Sequence, residues 1–187
     1  DIVVFGRAAA LRAAEVLKAG AEQKGLAKDS ADKALARFDK MRNASGALPT
    51  SQIRDDMQRS MQRGAAVFRD ATILADGKKK IDDIVGGLDE IAITDRSMVW
   101  NSDLVEALEL ENLLACAQAT VHSALNREES RGAHARDDFP DRNDDEWMKH
   151  TVAWLGEDKS VKLDYRPVHT WTLTDEVEYI VPKARVY

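Results

Sequence analysis

The residues best suited to chemistry lie in a polar loop, 130–140, where two arginines and a histidine alternate with small residues. Arg131 and Arg136 each carry a planar fork of donors that suits carboxylates, and Gly132 allows a backbone turn that other residues resist. These residue types have two interpretations: an ion-pair network that fixes the loop against another surface, or a site for a substrate anion. The candidate residues are Ser130, Arg131, His134, Arg136 and Asp138.

The other chemically active residue types form no recognisable motif. None of the four histidines has the close spacing of a metal-ligand motif; they are His122, His134, His150 and His169. The acidic run 141–146 fails as a calcium loop, because Glu146 stands where glycine is needed and Val152 where a bidentate glutamate should be. For these two reasons we expect no metal site. The sequence has neither a GxGxxG nor a GxxxxGK(S/T) phosphate loop, so we also expect no nucleotide on this chain alone.

Composition limits the partners of the chain. Its 187 residues include 27 Lys and Arg against 33 Asp and Glu, a formal net charge of -6, which argues against nucleic-acid binding. Cys116 is the only cysteine, so no intrachain disulfide can form and a reducing compartment is indicated. No apolar run approaches the roughly 18 residues that cross a bilayer. We therefore expect membrane association only through partner proteins.

Hydrophobic periodicity predicts a mainly α fold, an antiparallel bundle of three long helices, with a small C-terminal β-hairpin module. Thr50 is expected to cap the helix that begins there, and Asp76 with Gly77 to end it. The cluster Asn101, Ser102 and Asp103 offers capping oxygens for the start of the last long helix. The predicted helical segments are 2–18, which reads as largely buried, 30–42, 51–74, 81–91 and the run from 101–103 to about 125. After residue 127 we expect an extended loop with a helical turn near Asp144. The predicted hairpin strands are 149–155 and 160–165.

Several segments, in order along the chain, resemble the flavoprotein subunit of succinate dehydrogenase in its mitochondrial and alpha-proteobacterial form. The loop 130–138, SRGAHARDD, is similar to a signature of that subunit and of its relatives fumarate reductase and L-aspartate oxidase. The other similar segments are 1–8 (DIVVFGRA), 57–62 (MQRSMQ) with 65–69 (AAVFR), 99–106 (VWNSDLVE), and 147–151 with 165–168 near the C-terminus.

The resemblance implies an oxidoreductase of the tricarboxylic acid cycle and of electron transport. In the intact subunit, covalently attached FAD would oxidise succinate to fumarate, and electrons would pass through an iron-sulfur subunit to quinone. In that family, the segment that residues 1–8 resemble comes after the phosphate loop, the flavin-linked His, and the substrate-binding His and Arg. We therefore expect no catalytic and no cofactor-binding residue in this chain, which would be an inactive C-terminal fragment carrying no cofactor.

The resemblance also implies an organisation and partners. Residues 1–20 would end a helix of the missing flavin domain, 21–127 would form the helical bundle, and 128–187 the signature loop with the hairpin module. The five candidate residues of the loop would brace the bundle against the flavin and capping domains. Expected partners are those two domains, the iron-sulfur subunit, the membrane-anchor subunits indirectly, and a second copy of the fragment.

The expected location is peripheral on the inner membrane, at its bacterial cytoplasmic or mitochondrial matrix face. The uncapped apolar opening of the sequence also suggests a cut chain. The alternative is a free-standing helical interaction module without catalysis, which an initiator Met directly before Asp1 would favour.

Overall fold

The computed structural model of the chain describes residues 2–22, 24–172 and 174–183. In these ranges it has six α-helices, one short 3-10 helix and two pairs of strands, so the predicted mainly α fold with a C-terminal hairpin is confirmed. The elements are α1 (Ile2–Val16), α2 (Asp32–Arg42), β1 (Leu48–Pro49), α3 (Thr50–Gly64), α4 (Ala71–Gly86), the 3-10 helix (Gly87–Glu90), β2 (Ile91–Ala92), α5 (Ser102–Asn126), α6 (Asp144–Trp147), β3 (Lys149–Leu155) and β4 (Val161–Pro167).

The chain divides into two compact units between residues 37 and 38. The first unit contains α1, which was predicted to be largely buried. That prediction was wrong, because no residue of α1 is buried and its apolar side chains, such as Val3 and Phe5, are exposed. The apolar composition of a helix shows that its burial against another surface would be favourable, but it does not show that the same chain provides that surface.

The second unit is centred on α3, α4 and α5, which pack against one another. Each helix contributes aliphatic residues spaced three or four apart, as expected of helices with one apolar face. Deeply buried examples are Ile53, Leu74, Ile81, Leu110, Leu114 and Val121. Short parallel strands β1 and β2 pair Leu48 with Ile91 at one edge of this core.

The structure corrects the predicted boundary between the helices 51–74 and 81–91. Helix α3 ends at Gly64 rather than Leu74, and α4 begins at Ala71, where the Asp70 carboxylate accepts a hydrogen bond from the Ile73 N–H at 2.8 Å. Gly77 lies inside α4 and does not end a helix. A Cβ on Gly77 would lie 2.7 Å from the Gly64 Cα, so these two glycines let α3 and α4 approach closely.

The two predicted caps have different outcomes. Asn101 caps α5, since its side-chain oxygen accepts from the Leu104 N–H at 2.8 Å, as the sequence predicts. Thr50 is not a cap: it is the first helical residue of α3, after Pro49, and its buried hydroxyl has no hydrogen-bond partner. Proline at the preceding position ends the strand and starts the helix without a side-chain cap.

The hairpin β3–β4 is antiparallel, with Lys149 opposite Pro167 and Leu155 opposite Val161. It is fastened to the helices at both ends. The Gln118 amide of α5 donates to the Lys159 carbonyl at 3.0 Å, and the Tyr165 hydroxyl donates to the Asn126 side chain at 2.5 Å. Among the described residues, no helix has both the length and the apolar character that spanning a membrane requires.

Candidate functional site

The signature loop, residues 130–140, follows the end of α5 and folds back on itself. Arg131 and His134 exchange two backbone hydrogen bonds, at 2.7 and 3.0 Å, across a turn in which Gly132 has a φ of 59°. Gly132 thus adopts a backbone turn that other residues resist, as the sequence predicts. The Ser130 hydroxyl closes the loop, because it accepts from the Arg136 N–H at 2.8 Å and donates to the Phe139 carbonyl at 2.8 Å.

A glutamate at the entrance of the loop is fully buried. Glu129 has 0% relative exposure and accepts from Arg131 Nε at 2.7 Å, from the Asn143 N–H at 2.9 Å and from the Arg127 guanidinium. Burial raises the pKa of Glu129, but the hydrogen bonds from Arg131, Asn143 and Arg127 outweigh it and leave the pKa below its ordinary value. Glu129 is therefore a buried anion enclosed by two cations.

Arg136 fixes the C-terminal end of α5. Its guanidinium is 2% exposed and binds Asp138 through two parallel hydrogen bonds of 2.7 Å each. The remaining nitrogen donates to the carbonyls of Ala124, Leu125 and Arg127, at 3.2 to 3.4 Å. The last carbonyls of a helix lack partners within the helix and carry partial negative charge. Arg136 thus supplies both the missing donors and a favourable charge.

Asp138 extends this contact to the start of α4. Its second oxygen accepts from the Ala71 N–H at 2.9 Å, and the neighbouring Asp137 N–H donates to the Arg69 carbonyl at 2.7 Å. The hydrogen bonds from Arg136, with that from Ala71, lower the pKa of Asp138 to about 2. Asp138 is therefore ionised at neutral pH and joins the α3–α4 connection to the end of α5.

His134 lies between two arginines and is held as the neutral imidazole. Its Nδ1 is 3.0 Å from an Arg69 nitrogen, which can only donate, so Nδ1 is the acceptor and Nε2 donates to the Arg127 carbonyl at 3.1 Å. Burial lowers the pKa of His134, and the positive charges of Arg69, Arg136 and Arg127 lower it further, against the hydrogen bond to the carbonyl. His134 serves as a hydrogen-bonded spacer.

Asp144, the first residue of α6, anchors the other side of the loop. It accepts from Arg142 Nε at 2.6 Å and from Arg131 at 2.6 Å, and these two hydrogen bonds lower its pKa to about 2. Arg127 completes this side by donating to the Trp147 and Lys149 carbonyls at 3.1 and 2.5 Å. The loop is thereby linked to α6 and to the start of β3.

All five residues singled out from the sequence lie in this one region, which we call the signature-loop cluster. Further members were not singled out: Glu129, Arg69, Arg127 and Asp144. The sequence did offer a signal for Glu129: its carboxylate lies two residues after Arg127 and two residues before Arg131. Within the described ranges there is no group of three or more His, Cys, Asp or Glu residues that could hold a metal ion. The arrangement is that of an ionic crosslink.

Comparison with known proteins agrees with this architecture. Residues 54–187 match the family described as fumarate reductase flavoprotein C-term. The chain is 55% identical over 187 residues to the mitochondrial succinate dehydrogenase [ubiquinone] flavoprotein subunit of Oryza sativa, covering all of this chain and 30% of that protein. It is 51% identical to the succinate dehydrogenase flavoprotein subunit of Rickettsia bellii, again over all of this chain and 31% of the relative.

A solved structure shows the same fold. The FrdA chain of Escherichia coli quinol fumarate reductase superposes with a TM-score of 0.83 at 31% identity, over 95% of this chain and 31% of that chain. The present chain thus spans less than a third of the proteins it matches. The resemblance predicted from the ordered sequence segments is confirmed, and the chain belongs to the fumarate reductase flavoprotein C-terminal family.

Proposed function

We propose that this chain is the C-terminal helical region of a succinate dehydrogenase flavoprotein. The intact protein would oxidise succinate to fumarate at covalently bound FAD and pass electrons through an iron-sulfur subunit to quinone. The observation that carries this proposal is the 55% identity, over all 187 residues, to a plant mitochondrial succinate dehydrogenase flavoprotein subunit. Identity at that level, over the whole chain, favours the same reaction in the intact protein.

The described residues do not fit FAD. The glycines that make close backbone approaches pack against protein, Gly64 against Gly77 and Gly46 against the Glu90 backbone, instead of leaving a cradle for a pyrophosphate. The sequence has no dinucleotide-binding fingerprint, and Arg131 and Arg136 of the signature-loop cluster are already paired with the carboxylates of Glu129 and Asp138. We therefore assign this chain a structural role and derive no step of the flavin reaction from it.

In this proposal the signature-loop cluster is a brace. Within the chain it joins the α3–α4 connection, the end of α5, α6 and β3. We propose that Ser130, Arg131, His134, Arg136 and Asp138 transmit that rigidity to the flavin and capping domains of the intact subunit. The proposed division is a terminal helix in 1–20, an antiparallel three-helix bundle in 21–127, and the loop with its hairpin in 128–187.

An exposed apolar segment supports a docking role for the same region. Met98, Val99 and Trp100 precede α5, and all three are exposed. Trp100 is 98% exposed, and its backbone has a positive φ of 52°. Contiguous exposed apolar side chains are typical of surfaces that another polypeptide covers. We propose that other domains or the iron-sulfur subunit cover such surfaces, and that the membrane-anchor subunits hold the assembly on the cytoplasmic or matrix face of the inner membrane.

The test compares the complete gene product that carries this chain with residues 1–187 alone. We expect the complete product to contain flavin and to reduce an artificial dye when succinate is added. Residues 1–187 alone should be colourless and inactive, and their exposed apolar side chains on α1 should favour self-association in sedimentation experiments. A complete gene product that binds no flavin and does not oxidise succinate would overturn the proposal in favour of a free-standing interaction module.

A further inference from the structure

A cleft of about 840 Å³ lies between α5, the signature loop and the start of β3. Its charged lining is entirely of one sign, although the chain as a whole has a formal charge of -6. Neither Asp nor Glu is among the described residues that line it. The cations and histidines of the lining are Arg69, Arg127, Arg131, Lys149, His134 and His150.

These cations differ in whether the protein already neutralises them. Arg127 and Arg131 share the buried Glu129, and Arg131 also pairs with Asp144. Neither Arg69 nor Lys149 forms a salt bridge with any described carboxylate. Their two positive charges therefore remain available to a ligand.

Arg69 is positioned at the cleft by neutral acceptors alone. Its Nε and one terminal nitrogen donate to the Ala66 and Ala65 carbonyls at 2.6 and 3.1 Å, and its other terminal nitrogen donates to His134 Nδ1 at 3.0 Å. A guanidinium has five N–H groups, so two remain for a further acceptor. Burial lowers the pKa of Arg69, as expected for a half-buried cation that lacks a counterion.

Lys149 is positioned by aromatic rings. Its Nζ lies 4.7 Å from the centre of the Trp147 ring and 4.0 Å from that of Tyr165. Contacts of this kind hold the ammonium group over the ring faces but leave its full charge in place. Lys149 thus presents a fixed cation at the same cleft as Arg69.

We propose that this cleft binds a small organic anion with two or more carboxylate or phosphate groups, for which Arg69 and Lys149 are the principal charge partners. The volume falls within the range of about 300–1,000 Å³ that is typical of small-molecule sites. An acidic polypeptide is a poorer fit, since both unpaired cations line one concave site. The inference does not depend on the proposed function.

The probe is citrate, titrated into the 187-residue chain at an ionic strength of about 0.1 M, where the Debye length is about 10 Å, and followed by amide chemical shifts. We expect saturable shifts concentrated in residues 148–151 and near Ser123, which also lines the cleft. Lys149→Gln should weaken binding about tenfold, because a charge-assisted hydrogen bond is lost. Lys162→Gln removes the same charge from β4, outside the lining, and is the matched control. It should change the affinity less than about twofold, since exposed charges are largely screened.

One further variant and two further probes make the result decisive. Lys149→Arg should retain binding, and thermal denaturation establishes that each variant is folded. Pyrophosphate replaces citrate in a parallel titration: saturable binding of either anion at the cleft supports the proposal, and the tighter one identifies the ligand class. Absence of saturable shifts with both anions, or equal weakening by Lys162→Gln, would overturn it. Tighter binding of a hexaglutamate peptide than of citrate would also overturn it, in favour of a polypeptide ligand.

Discussion

The apolar core of α3, α4 and α5 and the signature-loop cluster stabilise neighbouring parts of one unit by different means. In the core, fully buried side chains such as Leu110 and Leu114 contribute through apolar area, which has no directional requirement. In the cluster, Glu129 and Arg136 are equally buried but depend on named donors and acceptors. The comparison teaches that the core requires volume, whereas the cluster requires charge and geometry.

The largest expected effect comes from near-isosteric substitutions in the two regions. Glu129→Gln removes a buried charge between two arginines and should lower the free energy of unfolding by about 3–5 kcal/mol. Leu114→Met conserves volume in the core and should cost less than about 1.5 kcal/mol. Urea denaturation followed by far-UV circular dichroism measures both. Equal losses would remove the distinction between the regions.

A second pair of substitutions tests how closely the core helices pack. Gly64→Ala places a methyl group against the Gly77 backbone and should cost about 1–3 kcal/mol through overpacking. Gly86→Ala is the control: its added Cβ has no atom within 4 Å, and its φ of -55° is helical. It should stabilise the protein by about 0.4–1 kcal/mol. A harmless Gly64→Ala would show that α3 and α4 are farther apart than described.

The acid limb of the stability curve should report Asp138. The pKa of this carboxylate falls from 3.8 to about 2 on folding, so its stabilisation is present above pH 3.8 and is lost as the pH falls through about 2. Asp138→Asn should therefore be less stable than the wild type at pH 7, and the difference should shrink toward pH 2. Guanidinium denaturation across this range measures it. A difference that does not change with pH would exclude ionisation of Asp138 as the cause.

The smallest expected effect is at His134. Since folding lowers its pKa below 6.5, the unfolded chain takes up more protons, and stability should decline as the pH falls below 6.5. His134→Gln keeps a donor and an acceptor but does not titrate, so this part of the pH dependence should flatten. Thermal denaturation measures the change of stability with pH, from pH 7 down to the point at which Glu and Asp side chains begin to titrate. An unchanged slope would assign the pH dependence to another group.

Local patterns predicted some of the fold and missed the rest for a physical reason. The Asn101 cap and the β3–β4 hairpin were predicted because each depends on residues close together in sequence. The end of α3 at Gly64 was missed, since Gly64 and Gly77 matter through their contact across two helices. Periodicity within one segment contains no information about such a contact.

The candidate site shows the same limit. The signature loop was recognised from its residue types, and Gly132 adopts the left-handed turn that was predicted. Glu129 was not singled out, although it lies beside the loop. Arg69 was not singled out because it is 65 residues from its partner His134 in the sequence. Residue types predicted an ionic cluster, but pairing between distant positions required the structure.

The central claim, that the five candidate residues of the signature loop brace a flavoprotein, is tested most directly by Arg131→Ala in the complete gene product. Flavin content, assembly with the iron-sulfur subunit and the KM for succinate are measured on the same preparations. We predict reduced flavin content and assembly, with an unchanged KM in the molecules that remain active. A raised KM with normal flavin content and normal assembly would contradict the account.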